Sequence, residues 1–69
     1  MKPKLYVYFS TYGSHKHDVL VIQNGGEPYD TRNNHVMLDP HAKEFGRDLF
    51  EYITPMLENY EVLWLPNKA

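Results

Sequence analysis

The stretch KLYVYF at residues 4–9 decides the fold, because its side chains are apolar or aromatic on both sides of an extended backbone. Side chains alternate along a strand, so Leu5 and Val7 share one face. Tyr6 and Tyr8 lie on the opposite face. A single helix covers only one face of a sheet, so the sequence poses the question of what covers the second one.

Length and composition limit the classes to which the chain can belong. Sixty-nine residues predict a single domain over residues 1–69 with a thin core, because a chain of this size buries only about 60% of its unfolded surface. The sequence has no cysteine, which excludes disulfides and thiolate metal sites and suits a reducing compartment. The first apolar run is too short for a signal-peptide core or a membrane span. We therefore expect a cytoplasmic protein without a membrane segment.

Charge and aromatic content favour a protein partner. The formal net charge of −2 is too acidic for a general nucleic-acid binder, which normally carries a basic patch. It is too small for a protein that imitates the dense charge of DNA. Aromatic residues make up 14% of the chain, and such side chains are enriched at protein interfaces. The high aromatic content is explained equally well by the need to fill the core of a small domain with bulky side chains.

The residues before the helix predict a hairpin and then a turn-rich stretch. Strands are expected over residues 4–10 and 18–23, the second rich in β-branched side chains. Residues 24–34, NGGEPYDTRNN, are dense in turn formers. Either an edge strand over residues 27–32 or an irregular loop accommodates the proline there. A further short strand is expected over residues 35–38.

One helix is predicted, from Pro40 to about Ile53. Asp39 is its expected cap, with Pro40 in the first turn. An apolar stripe at three- and four-residue spacing is expected to face the core. The stripe consists of Ala42, Phe45, Leu49, Tyr52, Ile53 and Met56. Gly46 weakens the helix and is expected to allow a close approach to the sheet. Pro55 predicts a kink or a 3₁₀ extension.

The last predicted strand covers residues 60–65, YEVLWL, and its continuous apolar run is typical of a strand covered on both faces. The elements together predict an α+β fold. Its small, mostly antiparallel sheet consists of the hairpin and the C-terminal strand, with one main helix packed on one face. The other face then carries Tyr6 and Tyr8, with Trp64 nearby. Either the loop over residues 24–34 covers that face, or a partner or a second copy does.

Two surfaces are candidate partner-binding sites, namely the aromatic sheet face and an acidic helix face suited to a basic surface on a partner. The residues predicted to bind are Tyr6, Tyr8, Trp64, Glu44, Asp48, Glu51 and Glu58. The acidic residues fall at spacings of four, three and seven, which places them on one side of a helix. A solvated helix face produces the same pattern.

Other chemistry has weaker support. His15 and His17 are the weak metal candidates, because they share a face if the chain is extended there and Asp18 follows them. His35, Asp39 and His41 form a second, looser group near the helix start. No nucleophile elbow or phosphate-binding loop is present in the sequence, so neither an enzyme nor a cofactor is expected.

The sequence therefore predicts a small, non-catalytic protein-binding module. Some phage and mobile-element proteins of this size inhibit a host protein by occluding its surface, an analogy that rests on no shared motif. The main alternative is a homodimeric structural or regulatory module. A histidine-based metal binder has less support, as does a single-stranded nucleic-acid binder that stacks bases on Tyr6 and Tyr8.

Overall fold

The computed structural model describes residues 2–11 and 18–67, and in it a four-stranded mixed sheet packs against one helix. The predicted α+β fold is confirmed. The elements in chain order are β1 Lys4–Ser10, β2 Val19–Asn24, β3 His35–Leu38, α1 Phe45–Ile53, a 3₁₀ turn Thr54–Met56 and β4 Glu61–Trp64. The strands lie side by side in the order β3-β2-β1-β4. Residues 27–32 form a loop rather than an edge strand.

The pairing of the strands is mostly antiparallel, as predicted. β1 and β2 form the expected hairpin, with Val7 opposite Ile22. β2 is antiparallel to β3, with Ile22 opposite Val36. β4 is parallel to β1, with Trp64 opposite Val7. Parallel strands cannot be joined by a tight turn; β3 and β4 run the same way, and α1 returns the chain between them.

The face of the sheet toward α1, here called the helix face, holds the core that the apolar stripe predicts. Its fully buried members are Leu5, Val7, Leu20 and Ile22. The partly buried side chains packed on them include five of the predicted stripe residues, namely Phe45, Leu49, Tyr52, Ile53 and Met56. Ala42 precedes α1 and is exposed. No side chain of α1 is itself fully buried, although the four sheet residues beneath the helix are.

Helix α1 begins five residues later than predicted. The N–H of Ala42 donates to the Asp39 carbonyl at 3.0 Å, and the N–H of Phe45 donates to the Ala42 carbonyl at 3.1 Å. These three-residue spacings are turns and not an α-helix. Asp39 Oδ1 also accepts the N–H of His41 at 2.9 Å, which is the bond that a capping carboxylate makes to the second residue after it. The predicted helix start at Pro40 is therefore wrong, although Asp39 makes the hydrogen bond expected of a cap.

The other two helix predictions have different outcomes. The α-helix ends at Ile53 and continues as a 3₁₀ turn that holds Pro55 near its start, where a missing N–H costs least. The predicted extension is confirmed. Gly46 makes no close approach to the sheet, because a Cβ atom added there would meet nothing within 4 Å. The prediction that Gly46 allows a close approach to the sheet is therefore wrong.

The loop after β2 covers the opposite, second face of the sheet, which answers the question posed by KLYVYF. Tyr6 is 7% exposed and Tyr8 is 2% exposed, and both pack with Val19 and Val21. The ring of Tyr29, from the loop, lies edge-on to Tyr8 with its centroid 4.7 Å away at an interplanar angle of 61°. Of the two expected covers, the loop is the one present. The aromatic sheet face, one of the two predicted contact surfaces, is therefore part of the chain's own interior.

Hydrogen bonds from the side chain of Gln23 hold the start of this loop against the sheet. Its side chain is fully buried. Its amide nitrogen donates to the carbonyls of Gly25 and Glu27, the first at 2.8 Å. Its amide oxygen accepts the hydroxyl of Tyr8 at 2.9 Å. A buried amide is costly unless it is hydrogen-bonded, so the same three bonds satisfy Gln23 and hold the loop.

The loop then turns sharply at Pro28 and Tyr29. The N–H of Asp30 donates to the carbonyl of Glu27 at 3.1 Å, and Tyr29 has a φ of 67°. Proline at the second position and positive φ at the third are the pattern of a type II turn. Left-handed backbone costs a non-glycine residue about 1–2 kcal/mol. The ring contact of Tyr29, and the bond from its hydroxyl to the Pro66 carbonyl at 2.6 Å, offset this cost.

Candidate protein-binding groove

The backbone of helix α1 comes closest to β3, at one edge of the sheet. Among the described residues its backbone comes close to β3 and not to β4. Side chains alone therefore cover the β4 end of the helix face, and an open apolar groove of about 380 Å³ lies between α1 and β4. We call it the β4 groove. Its lining residues are Gly46, Leu49, Phe50, Ile53, Thr54, Leu57 and Trp64.

Three large apolar side chains of the β4 groove are exposed to solvent. Phe50 is 67% exposed, Trp64 64% and Leu57 51%. In the part of the chain that the structure describes, Met37 on β3 is the other large apolar side chain that is exposed to solvent. The two exposed rings present roughly 300 Å² of surface, taking about 200–250 Å² for a whole aromatic side chain. Isolated exposed hydrophobic residues are ordinary, whereas a contiguous patch of this size is often functional.

Among the described residues the groove borders an unpaired edge of the sheet, because β4 is the last strand in the strand order. The N–H groups of Glu61 and Leu65 donate toward β1, to carbonyls of Pro3 at 2.8 Å and Val7 at 2.9 Å. Alternate residues of a strand point their backbone groups to opposite sides. The N–H and carbonyl groups of Val62 and Trp64 therefore point to the open edge, where they can bond an added strand.

The predicted acidic residues lie on a different side of α1. All four are exposed: Glu44, Asp48, Glu51 and Glu58. At about 100° per residue, Asp48 lies roughly 160° and Glu51 roughly 100° around the helix from Phe50. Glu58 follows the 3₁₀ turn, so helical spacing does not align it with Glu51. The acidic face is therefore separate from the β4 groove, and Trp64 alone among the predicted binding residues lines that groove.

The lining of the β4 groove is almost entirely apolar. None of its residues has a titratable side chain, and Thr54 carries its one hydroxyl group. Acid–base and nucleophilic catalysis both need such groups beside the substrate. Apolar contact and backbone hydrogen bonds at the strand edge are the interactions that this surface offers.

Comparisons with known proteins provide no functional information, so a functional assignment depends on the geometry of this chain. No family model, curated protein or solved structure gives a significant match. Within residues 2–11 and 18–67, no helix is long and apolar enough to cross a bilayer.

The histidine hypotheses have only partial structural counterparts. His15 and His17 lie outside the described residues. Within the described ranges, no three His, Asp or Glu side chains gather into a group that could hold a metal ion. His35 Nδ1 lies 3.0 Å from the carbonyl of Asn33, and the backbone of His41 bonds to Asp39. The looser histidine group is therefore not assembled into a metal site.

One ion pair stands out in the loop that covers the second face. Two guanidinium nitrogens of Arg32 lie 2.9 Å from the two carboxylate oxygens of Asp30. The side-chain hydrogen bond first, and then the charge attraction, raise the pKa of the Arg32 guanidinium above its ordinary value. The arginine side chain is 90% exposed, so the pair contributes little to stability. It lies on the opposite side of the sheet from the β4 groove and belongs to the loop.

Sequence reasoning missed two residues of the groove, Phe50 and Leu57. Phe50 falls outside the apolar stripe, since it is roughly 100° around the helix from Leu49. An apolar aromatic side chain off the core-facing stripe is the signal that would have indicated a contact surface. Leu57 follows the 3₁₀ turn, so no helical periodicity gives its direction. Its placement depends on how the chain leaves Pro55.

Proposed function

We propose that this chain is a small, non-catalytic protein-binding module of the cytoplasm, with the β4 groove as its contact surface. The observation that carries the proposal is the clustering of Phe50, Leu57 and Trp64, each more than half exposed, around one apolar groove. Tryptophan and other large aromatic side chains dominate the energetics of protein interfaces. Such a module acts by occupying a surface of its partner. The lack of cysteine fits a reducing compartment.

The burial of the second face supports this choice of surface over the one predicted from the sequence. Tyr6 and Tyr8 already contact Tyr29 and other residues of the same chain, so a partner would have to displace the loop to reach them. The β4 groove is open without any rearrangement. Truncating an aromatic anchor of this kind, as in Trp64→Ala, is expected to lower affinity for a partner about 30-fold or more.

Position-specific photo-crosslinking tests the proposal. A photoreactive phenylalanine analogue replaces Phe50 in one variant and Glu51 in a matched control, both exposed neighbours on α1. We expect a discrete protein adduct from position 50 in an extract of the cells that express this chain. An excess of unlabelled wild-type chain should compete it away, and an excess of the Phe50→Ser variant should not. Equal labelling from both positions, or labelling that neither competitor reduces, would contradict a specific groove.

A further inference from the structure

We propose that the occupant of the β4 groove is a second copy of this chain, which adds its own β4 antiparallel to the first and joins the two sheets. The inference rests on the proposed function, because it names the partner of that same groove. A two-fold axis through Leu63 relates the two copies, so each presents the same surface to the other.

The backbone of β4 is self-complementary in this arrangement. The outward-pointing groups belong to Val62 and Trp64, because Glu61 and Leu65 bond toward β1. An axis at Leu63 places Val62 of one copy opposite Trp64 of the other. In an antiparallel hydrogen-bonded pair, opposite residues exchange both N–H···O bonds. The two-fold axis creates this pair twice, with two bonds in each. Four backbone hydrogen bonds therefore form, and they satisfy the outward N–H and carbonyl groups of Val62 and Trp64 in both copies.

The register of the pairing is fixed by the residues that flank Val62 and Trp64 along the chain. Pro66 has no N–H, and its carbonyl already accepts the hydroxyl of Tyr29. The N–H of Tyr60 is bonded to the carbonyl of Met56 at 2.9 Å. If the two-fold axis lay at another residue, Val62 or Trp64 would stand opposite Tyr60 or Pro66. Neither of those residues has a free N–H, so backbone hydrogen bonds between the two strands would be lost. The register centred on Leu63 is the one that uses every free donor of the edge.

The side chains fit the same register. Trp64 and Val62 share the helix face, since they stand opposite Val7 and Leu5 of β1. The two Trp64 side chains then lie on a diagonal, at about 7–8 Å between their backbones, within reach of each other. On the second face, Glu61 stands opposite Leu65 of the other copy. No two like charges are therefore placed directly across the junction.

The available area predicts a dimer in equilibrium with its subunits. The exposed rings of Phe50 and Trp64 amount to roughly 300 Å² per copy, and Leu57 and the strand edge add to this. A standard interface takes about 800 Å² from each partner, and weak or transient ones take less than about 600 Å². The β4 groove falls in the lower class, so association should depend on concentration.

The test is the mass in solution by light scattering, measured over a wide concentration range for the wild type and three variants. Trp64→Lys places a charge at the junction, and Val62→Pro removes an outward N–H that β1 does not use. Met37→Lys is the matched control, since Met37 is exposed on the opposite edge strand. We expect the wild type and Met37→Lys to dimerise on concentration, and Trp64→Lys and Val62→Pro to stay monomeric. If Val62→Pro does not fold, Trp64→Lys decides alone.

Trp64 is the one tryptophan of the chain, so its emission reports directly on the junction. A blue shift should accompany wild-type dimerisation and reverse on dilution. A wild type that is monomeric throughout would overturn the inference, as would a dimer that Trp64→Lys leaves intact. A monomer that still yields the competed adduct from position 50 would overturn only the second copy as occupant. A monomer without that adduct would overturn the proposed function as well.

Discussion

Replacement of the buried amide of Gln23 should release the loop that covers the second face. Gln23→Met keeps the length and most of the volume of the side chain but removes its bonds to Gly25, Glu27 and Tyr8. At about 1 kcal/mol for each intramolecular hydrogen bond, the free energy of unfolding should fall by roughly 3 kcal/mol. A domain of this size keeps only about 3–5 kcal/mol, so the variant should lose more than half of its stability.

Urea unfolding followed by circular dichroism measures this loss, with the free energy extrapolated to water. Tyr8→Phe removes one of the three bonds and should cost about 1 kcal/mol. Glu27→Ala is the control, because the side chain of Glu27 is exposed and only its carbonyl takes part. A loss below about 0.5 kcal/mol for Gln23→Met, within the range of ordinary surface substitutions, would refute the idea that Gln23 holds the loop.

The remaining predictions concern the backbone of α1 and of the loop, and thermal unfolding measures each. Gly46→Ala should stabilise the chain by about 0.4–1 kcal/mol, since the new methyl group meets open space; a loss of stability would contradict the position of α1. Gly26→Ala should destabilise it by more than about 1 kcal/mol, because φ is 77° there and a Cβ atom would collide with Asn33. Tyr29→Phe should cost about 0.5–1.5 kcal/mol through loss of the bond to Pro66, and an unchanged melting temperature would count against that bond.

The strands and the helix-face core follow from the sequence because they depend on local periodicity. Alternation in residues 4–10 and three- and four-residue spacing after Phe45 are both properties of neighbouring residues. The start of α1 is different, because Asp39 makes the bond expected of a cap but the residues after it form three-residue turns before the α-helix begins at Phe45. The groove could not be predicted, since it depends on how α1 and the segment after it lie relative to β4, which is a tertiary effect.

The cover of the second face depends on a residue that turn statistics would not choose. A type II turn requires positive φ at its third position, where glycine is usual, and here Tyr29 occupies it. Its ring contact with Tyr8 forms only once the loop has closed over the sheet. The sequence therefore shows a loop of the right length beside an aromatic face, while the choice between that loop and a partner depends on long-range packing.

We propose that the contact surface of this chain is the β4 groove, whereas the second face of the sheet, with Tyr6 and Tyr8, is covered by the loop. Photo-CIDNP NMR tests it most directly, because a photoexcited dye polarises only the tyrosine and tryptophan rings that it can touch. In dilute solution, the account predicts a strong signal from Trp64 and none from Tyr6 or Tyr8, which are 64%, 7% and 2% exposed. Strong signals from both tyrosines with a silent Trp64 would contradict it.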